Sequence, residues 1–169
     1  VIENDKITRN CCGVPMAPGR EIANKTLGVV GLGAIGQRTA TLAQAFGCKV
    51  IAWNRTPKEI EGVTIVDKET LFKESDIVTL HIALNDETRD FVTAKEIASM
   101  KDTAIIINAA RGPIINAQNL ADALRDGKIA GAALDVYDVE PPLDKNNPLL
   151  SVPNTMLLPH IGFATKEAF

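Results

Sequence analysis

The chain has 169 residues and a formal net charge of −3; 46% of its residues are hydrophobic and 23% charged. That balance fits one soluble globular domain of ordinary size. No basic run is long enough for a nucleic-acid footprint. The longest apolar runs, such as residues 103–110, fall far short of the ~20 residues of a membrane span.

Residues 1–9 are polar and charged, so no signal peptide is visible. Three cysteines, two of them adjacent (Cys11 and Cys12), make a poor disulfide framework, and a cytoplasmic protein is expected. No metal site is expected.

Residues 1–10 read as the tail of a helix, and 12–20 as a Gly/Pro-rich connector containing Pro15, Pro18 and Gly19. From Lys25 onward apolar strands alternate with amphipathic helices. Strands are predicted at 26–31, 49–53, 64–66, 77–80, 104–108, 129–134 and 155–158. Helices are predicted at 34–46, 70–74, 94–100 and 116–126, the last capped by Asn116. In the first helix Ile35, Leu42, Ala43 and Phe46 recur at helical spacing, and Gly47 stops it.

Strands made of Val/Ile/Leu runs, without alternation, imply burial on both faces. The fold class is therefore α/β, a single domain built on a doubly wound parallel sheet. Ligands of such sheets bind beyond the carboxyl ends of the strands. Attention falls on 31–36, 54–56, 81–85, 109–112 and 135–137.

The first of these segments is GLGAIG, with Gly31, Gly33 and Gly36 between a strand and a helix. That context makes G-x-G-x-x-G a Rossmann-type dinucleotide signature. Gly31 permits the tight turn, Gly33 lets backbone approach a pyrophosphate, and Gly36 lets helix and strand pack closely. Backbone N–H groups of Ala34 and Ile35 then face the phosphates at the positive end of the helix. An NAD site commonly has an acid at the end of the second strand for the ribose hydroxyls. Here Asn54, Arg55 and Thr56 stand there. Arg55 can pair with a 2′-phosphate and Thr56 can donate to it, which favours NADP over NAD. A solvated surface role for Arg55 is the alternative.

Three further segments follow later strands: NAARGPIIN from Asn108, GAALDVY from Gly131 leading to Glu140-Pro141, and LPHIGFAT from Leu158. Together with GLGAIG and with the segment LHIALNDETRDFVTAKEIASM they resemble the D-isomer-specific 2-hydroxyacid dehydrogenase family. The resemblance runs from about Gly19 to Phe169. It implies an NAD(P)-dependent oxidoreductase acting on a small 2-keto or 2-hydroxy acid. Arg111 matches the family arginine that holds the substrate carboxylate. His160 matches the acid/base, and Glu140 the carboxylate beside it that favours imidazolium. Asp135 matches the aspartate that holds the nicotinamide carboxamide. Gly162 lies where backbone comes close to the nicotinamide end. His81 and Ala109, both ending predicted strands, join the cofactor-binding set.

Each position also has a plainer reading. Arg111 alone reads as a surface ion-pair partner, Glu140 as a loop charge, Asp135 as a strand-end cap and His81 as a structural histidine. Ala34, Ala83 and Asn116 depart from residues common in the family, but none of them removes a group that does chemistry.

Family members have about twice this length. The resemblance thus implies residues 1–24 as the end of an interdomain helix and connector, and 25–169 as the dinucleotide-binding domain. The substrate domain lies outside this sequence. Cofactor binding with negligible turnover by this chain alone is expected, because hydride transfer needs a closed, water-poor cleft. A homodimer is the family's usual state. A nucleotide-sensing corepressor-like module of the same fold is the competing reading. A hydrolase of the adenosylhomocysteine type is disfavoured by the RG and HIGFAT segments.

Overall fold

The computed structural model describes residues 19–56, 58–140 and 144–168, together with the backbone of 2–3 and 6–7. At the N-terminus β1 (Ile2–Glu3) pairs antiparallel with β2 (Lys6–Ile7). This corrects the helical tail expected over 1–10. β-Branched Ile2 and Ile7 suit an extended backbone better than a helix, and Asn4 and Asp5 between them are poor helix formers. Most of the Gly/Pro connector lies outside the described residues.

The main sheet has seven strands: β3 (Thr26–Val30), β4 (Lys49–Trp53), β5 (Val63–Ile65), β6 (Ile77–Leu80), β7 (Ile105–Asn108), β8 (Gly131–Leu134) and β9 (Thr155–Leu157). Their order across the sheet is β5-β4-β3-β6-β7-β8-β9, and every adjacent pair is parallel. The sheet therefore grows one way from β3 to β5 and the other way from β6 to β9. Loops leaving β3 and β6 diverge at that reversal and open a crevice above their carboxyl ends. The doubly wound α/β sheet read from the sequence is the fold that forms.

The central strands explain the continuous apolar runs. Val29, Val30, Val78, Leu80 and Ile106 are all fully buried, covered on both faces. Helices α1 (Ala34–Ala45), α2 (Lys68–Glu74), α3 (Ala94–Ser99) and α4 (Ala117–Arg125) flank the sheet, with α3 packed on α2 and α4.

Helix starts follow their capping chemistry. Asp67 accepts from the Thr70 N–H ahead of α2, and Asn116 from the Asn119 N–H ahead of α4. Thr93 and Glu96 form a capping box on α3. Helix α1 is different: Gly33 precedes it with no side-chain cap, and its first turn holds no acid. Its leading N–H groups are left for something else.

Helix α1 also corrects the stripe read from the sequence. Ile35, Leu42 and Phe46 are 71%, 54% and 65% exposed, while Gly36 and Ala40 are buried. The helix must approach β3 closely at Gly36, so the small residues face the sheet and the large apolar ones turn outward. Among the described residues no helix is long and apolar enough to cross a membrane.

Candidate active site

The crevice is built first by its glycines. Gly31 has φ +96°, and a Cβ there would meet the His81 carbonyl oxygen at 2.8 Å. A Cβ at Gly36 would overlap the Gly31 carbonyl oxygen. At Gly33 nothing lies within 4 Å of an added Cβ. Gly31 and Gly36 therefore serve the turn and its packing, while Gly33 keeps the cleft clear in front of Ala34, Ile35 and the uncapped start of α1. Anionic groups are stabilised at such a helix start.

One cleft, about 450 Å³, lies at the end of β4 and is lined by Gly31, Gly33, Trp53, Arg55, Thr56 and Glu87, among others. Trp53 and Phe91 form its aromatic wall, with ring centroids 4.9 Å apart. Asn54 is already engaged: its Oδ1 accepts from the Leu32 N–H at 2.9 Å and its Nδ2 donates to the Thr56 carbonyl at 2.6 Å. It braces the glycine turn against the strand end. Arg55 Nη1 lies 3.3 Å from Glu87 Oε2, with both side chains 74% exposed. Lys58 Nζ donates to the Leu32 carbonyl at 3.2 Å, a second cation beside the glycine turn.

A second cleft, about 560 Å³, adjoins the first through His81, Ile82 and Ala83. Ile35, Ala109, Arg111, Asp135, His160 and Gly162 line it. His81 closes β6; its Nε2 lies 3.1 Å from Thr79 Oγ1, and burial holds its pKa below the usual histidine value. It is therefore neutral at pH 7 and adds no charge where the two clefts meet. Two adjoining clefts, a clear Gly33 and an uncapped helix start fit an extended dinucleotide.

Arg111 follows β7. Asn108 bridges this turn, accepting from the Ala110 N–H and donating to the Arg111 carbonyl. Gly112 comes next because its Cβ would run into the backbone of Tyr137 and Asp138. Arg111 Nη1 donates to the Ala110 carbonyl at 2.6 Å, and among the described residues it makes no ion pair.

His160 takes a left-handed backbone, φ +55°, unusual for a residue with a side chain. Such strain costs of order 1–3 kcal/mol and persists only when neighbours enforce it. Asp135 is that neighbour. It is 6% exposed at the end of β8, and its two oxygens accept the Ile161 and Gly162 N–H groups at 2.8 and 2.7 Å. Each oxygen keeps a second acceptor site. Glu140 fixes the ring: its Oε2 lies 2.5 Å from His160 Nδ1, and its Oε1 accepts from the Tyr137 N–H. Phe163 packs edge-on to the imidazole at 5.8 Å.

The fold thus brings Arg111, Asp135, His160, Gly162, His81 and Ala109 to one cleft and places Glu140 behind His160. Asn54, Arg55 and Thr56 gather at the other cleft with Gly31 and Gly33. Sequence reading missed Trp53, Phe91 and Glu87 at the first cleft and Phe163 at the second. It also missed Lys58 beside the glycine turn, Asn108 under the Arg111 turn and Tyr137 behind Glu140. Glu87, Phe91, Asn108, Tyr137 and Phe163 all lie inside the motif segments, so their neighbours gave a signal. What Glu87 faces gave none, since it reaches Arg55 from 32 residues away.

Residues 5–162 match the family described as D-isomer specific 2-hydroxyacid dehydrogenase, NAD binding domain. The chain belongs to this family. A hydroxypyruvate reductase from Thermotoga maritima is 46% identical over 152 residues, which is 89% of this chain and 50% of the relative. The chain spans about half the length of that relative. Among solved structures, an acyclic imino acid reductase in complex with NADPH and D-Arg superposes with TM-score 0.83 at 38% identity, covering 88% of this chain and 47% of the other. The NAD-complexed D-isomer specific 2-hydroxyacid dehydrogenase of Lactobacillus delbrueckii ssp. bulgaricus superposes at 0.82 with 33% identity, covering 89% and 50%. The NAD(P)-binding domain of a 2-hydroxyacid dehydrogenase is thus placed by sequence and by fold. Both cofactors occur among its structural neighbours.

Proposed function

We propose that this domain prefers NADP to NAD and carries the acid/base and carboxylate-binding groups for interconverting a small 2-keto acid and its D-2-hydroxy acid. The observation that carries the reading is the His160–Glu140 pair beside Arg111 on one cleft. The cofactor, when bound, supplies the hydride. Everything else is assigned to side chains of this chain.

Arg111 is the permanent cation that orients a carboxylate and polarises the adjacent keto oxygen. Glu140 occupies Nδ1 of His160, which leaves Nε2 to exchange a proton with the substrate oxygen. Asp135 positions His160 through the two N–H groups after it, and its remaining acceptor sites face the carboxamide end of the dinucleotide. Arg55 and Thr56 take the 2′-phosphate. Asn54 supports them, being too engaged with backbone to replace a ribose-binding acid.

The cleft is open: the His160 side chain is 40% exposed. We assign the domain cofactor binding with negligible turnover alone, the substrate-closing surface coming from elsewhere. A homodimer is proposed too, supported by the apolar Leu42 and Phe46 on the outer face of α1.

A panel of glyoxylate, hydroxypyruvate, pyruvate and branched keto acids, assayed with each cofactor on an enzyme containing this domain, tests the reading. Reduction of at least one with NADPH at higher kcat/KM than with NADH supports it. Higher kcat/KM with NADH overturns the cofactor preference, and no reduction of any keto acid overturns the reaction.

A further inference from the structure

The carboxylate that β4 lacks at its end reaches the same cleft from another element. Glu87 sits in the turn after β6, yet that turn does not need its side chain. Asn85 Oδ1 accepts the Glu87 and Thr88 N–H groups, and Thr88 Oγ1 donates to the Ala83 carbonyl at 2.7 Å. The turn is braced by Asn85 and Thr88, and the Glu87 carboxylate is left to project. Its hydrogen-bond partner lies across the cleft: Arg55 Nη1, at 3.3 Å.

Arg55 and Glu87 both line the cleft proposed for the adenosine end. As a pair they sum to zero charge. A 2′-phosphate brought to Arg55 meets this carboxylate as a competitor for the guanidinium and as a like charge. A plain ribose meets no such opposition and gains an acceptor that Asn54 cannot be. The pair is exposed and so weak enough to yield, since exposed ion pairs contribute little. A doubly ionised phosphate holding both guanidinium N–H groups is the stronger partner.

We propose that Glu87 is a specificity-determining residue: it competes with the 2′-phosphate for Arg55 and sets how far this cleft favours NADP over NAD. This rests on the assignment of Arg55 to the 2′-phosphate. It predicts that the native preference for NADP is smaller than Arg55 alone would give, and that neutralising Glu87 enlarges it.

The test is equilibrium titration of the purified chain with NADPH and with NADH. Quenching of Trp53, the single tryptophan, which lines the same cleft, gives the signal. Four proteins are compared: the native chain, Glu87→Gln, Arg55→Ala and Asp86→Asn. Asp86 is the exposed neighbouring acid that removes one negative charge without touching the pair. Glu87→Gln is expected to raise the NADPH/NADH affinity ratio by about three- to tenfold, in keeping with one carboxylate charge near a dianion in a solvated cleft. Asp86→Asn is expected to move that ratio less than about twofold at ordinary ionic strength. A ratio that Arg55→Ala lowers but Glu87→Gln leaves unchanged overturns the inference and leaves the Arg55 assignment standing. Equal shifts from Glu87→Gln and Asp86→Asn overturn it as well, because net charge then suffices. A ratio unmoved by Arg55→Ala overturns the Arg55 assignment itself, and the role of Glu87 with it.

Discussion

Glu140 holds His160 from one side and the backbone of Tyr137 from the other. One carboxylate oxygen is 2.5 Å from the histidine Nδ1, and the second accepts the Tyr137 N–H. The ring is thereby tied to the segment that follows β8. Position of the imidazole and position of that segment are a single mechanical unit.

Substitutions at this pair should separate chemistry from cofactor binding. In an enzyme containing this domain, His160→Gln is expected to lower kcat by about 10²–10⁴-fold, the usual worth of a positioned acid/base. Glu140→Gln keeps a hydrogen bond but removes the anion, and a smaller loss is expected. NADPH affinity should stay within about twofold in both. Steady-state kinetics alongside cofactor titration reads this, and unchanged kcat in His160→Gln defeats the assignment.

Two glycines should respond oppositely to alanine. Gly112→Ala forces a methyl into the Tyr137 and Asp138 backbone and is expected to cost about 1–3 kcal/mol in urea unfolding, the range of an overpacked site. Gly33 has φ −68° and open space around it, so Gly33→Ala should leave stability within about 0.5 kcal/mol. Its methyl enters the cleft instead, and cofactor affinity should fall at least tenfold. Tight binding by Gly33→Ala would count against phosphates passing that residue.

Acid stability should depend on Glu96. Burial opposes its ionised form, but hydrogen bonds from Thr93 and Lys68 outweigh that and hold the pKa at about 2, against 4.5 for a free side chain. The unfolded chain therefore binds the proton first as pH falls. This group's contribution is complete above pH 4.5 and disappears towards pH 2. Glu96→Gln should be less stable at pH 7 and show a shallower loss of stability between those pH values. Urea unfolding across that range checks it, and identical slopes would contradict it.

The outward apolar face of α1 gives a test of assembly. Phe46→Asp combined with Leu42→Asp is expected to halve the mass measured by light scattering while leaving the far-UV spectrum unchanged. A native chain that is already monomeric at tens of micromolar defeats the dimer proposal.

Much of the fold was legible because its signals are local. The buried strands are unbroken Val/Ile/Leu runs, Asn116 caps the α4 start, and Gly47 ends α1 in the left-handed region at φ +80°. The outward turn of α1 was not legible, because helical spacing names a face without saying which neighbour it meets. Gly36 decided that by demanding close approach to β3. The antiparallel pairing of β1 with β2 escaped as well, the strands being too short for any periodicity to register.

By itself the sequence determined the doubly wound sheet, the glycine turn and the placing of Arg111, Asp135 and His160 just after strands. Those follow from residue types and short spacings, which act along the chain. The tertiary structure alone decided what each group faces. It spent Asn54 on the glycine turn and brought Glu87 to Arg55 across 32 residues. Such pairings depend on how parallel strands stack their loops at one edge, and no local pattern encodes the distance between two loops.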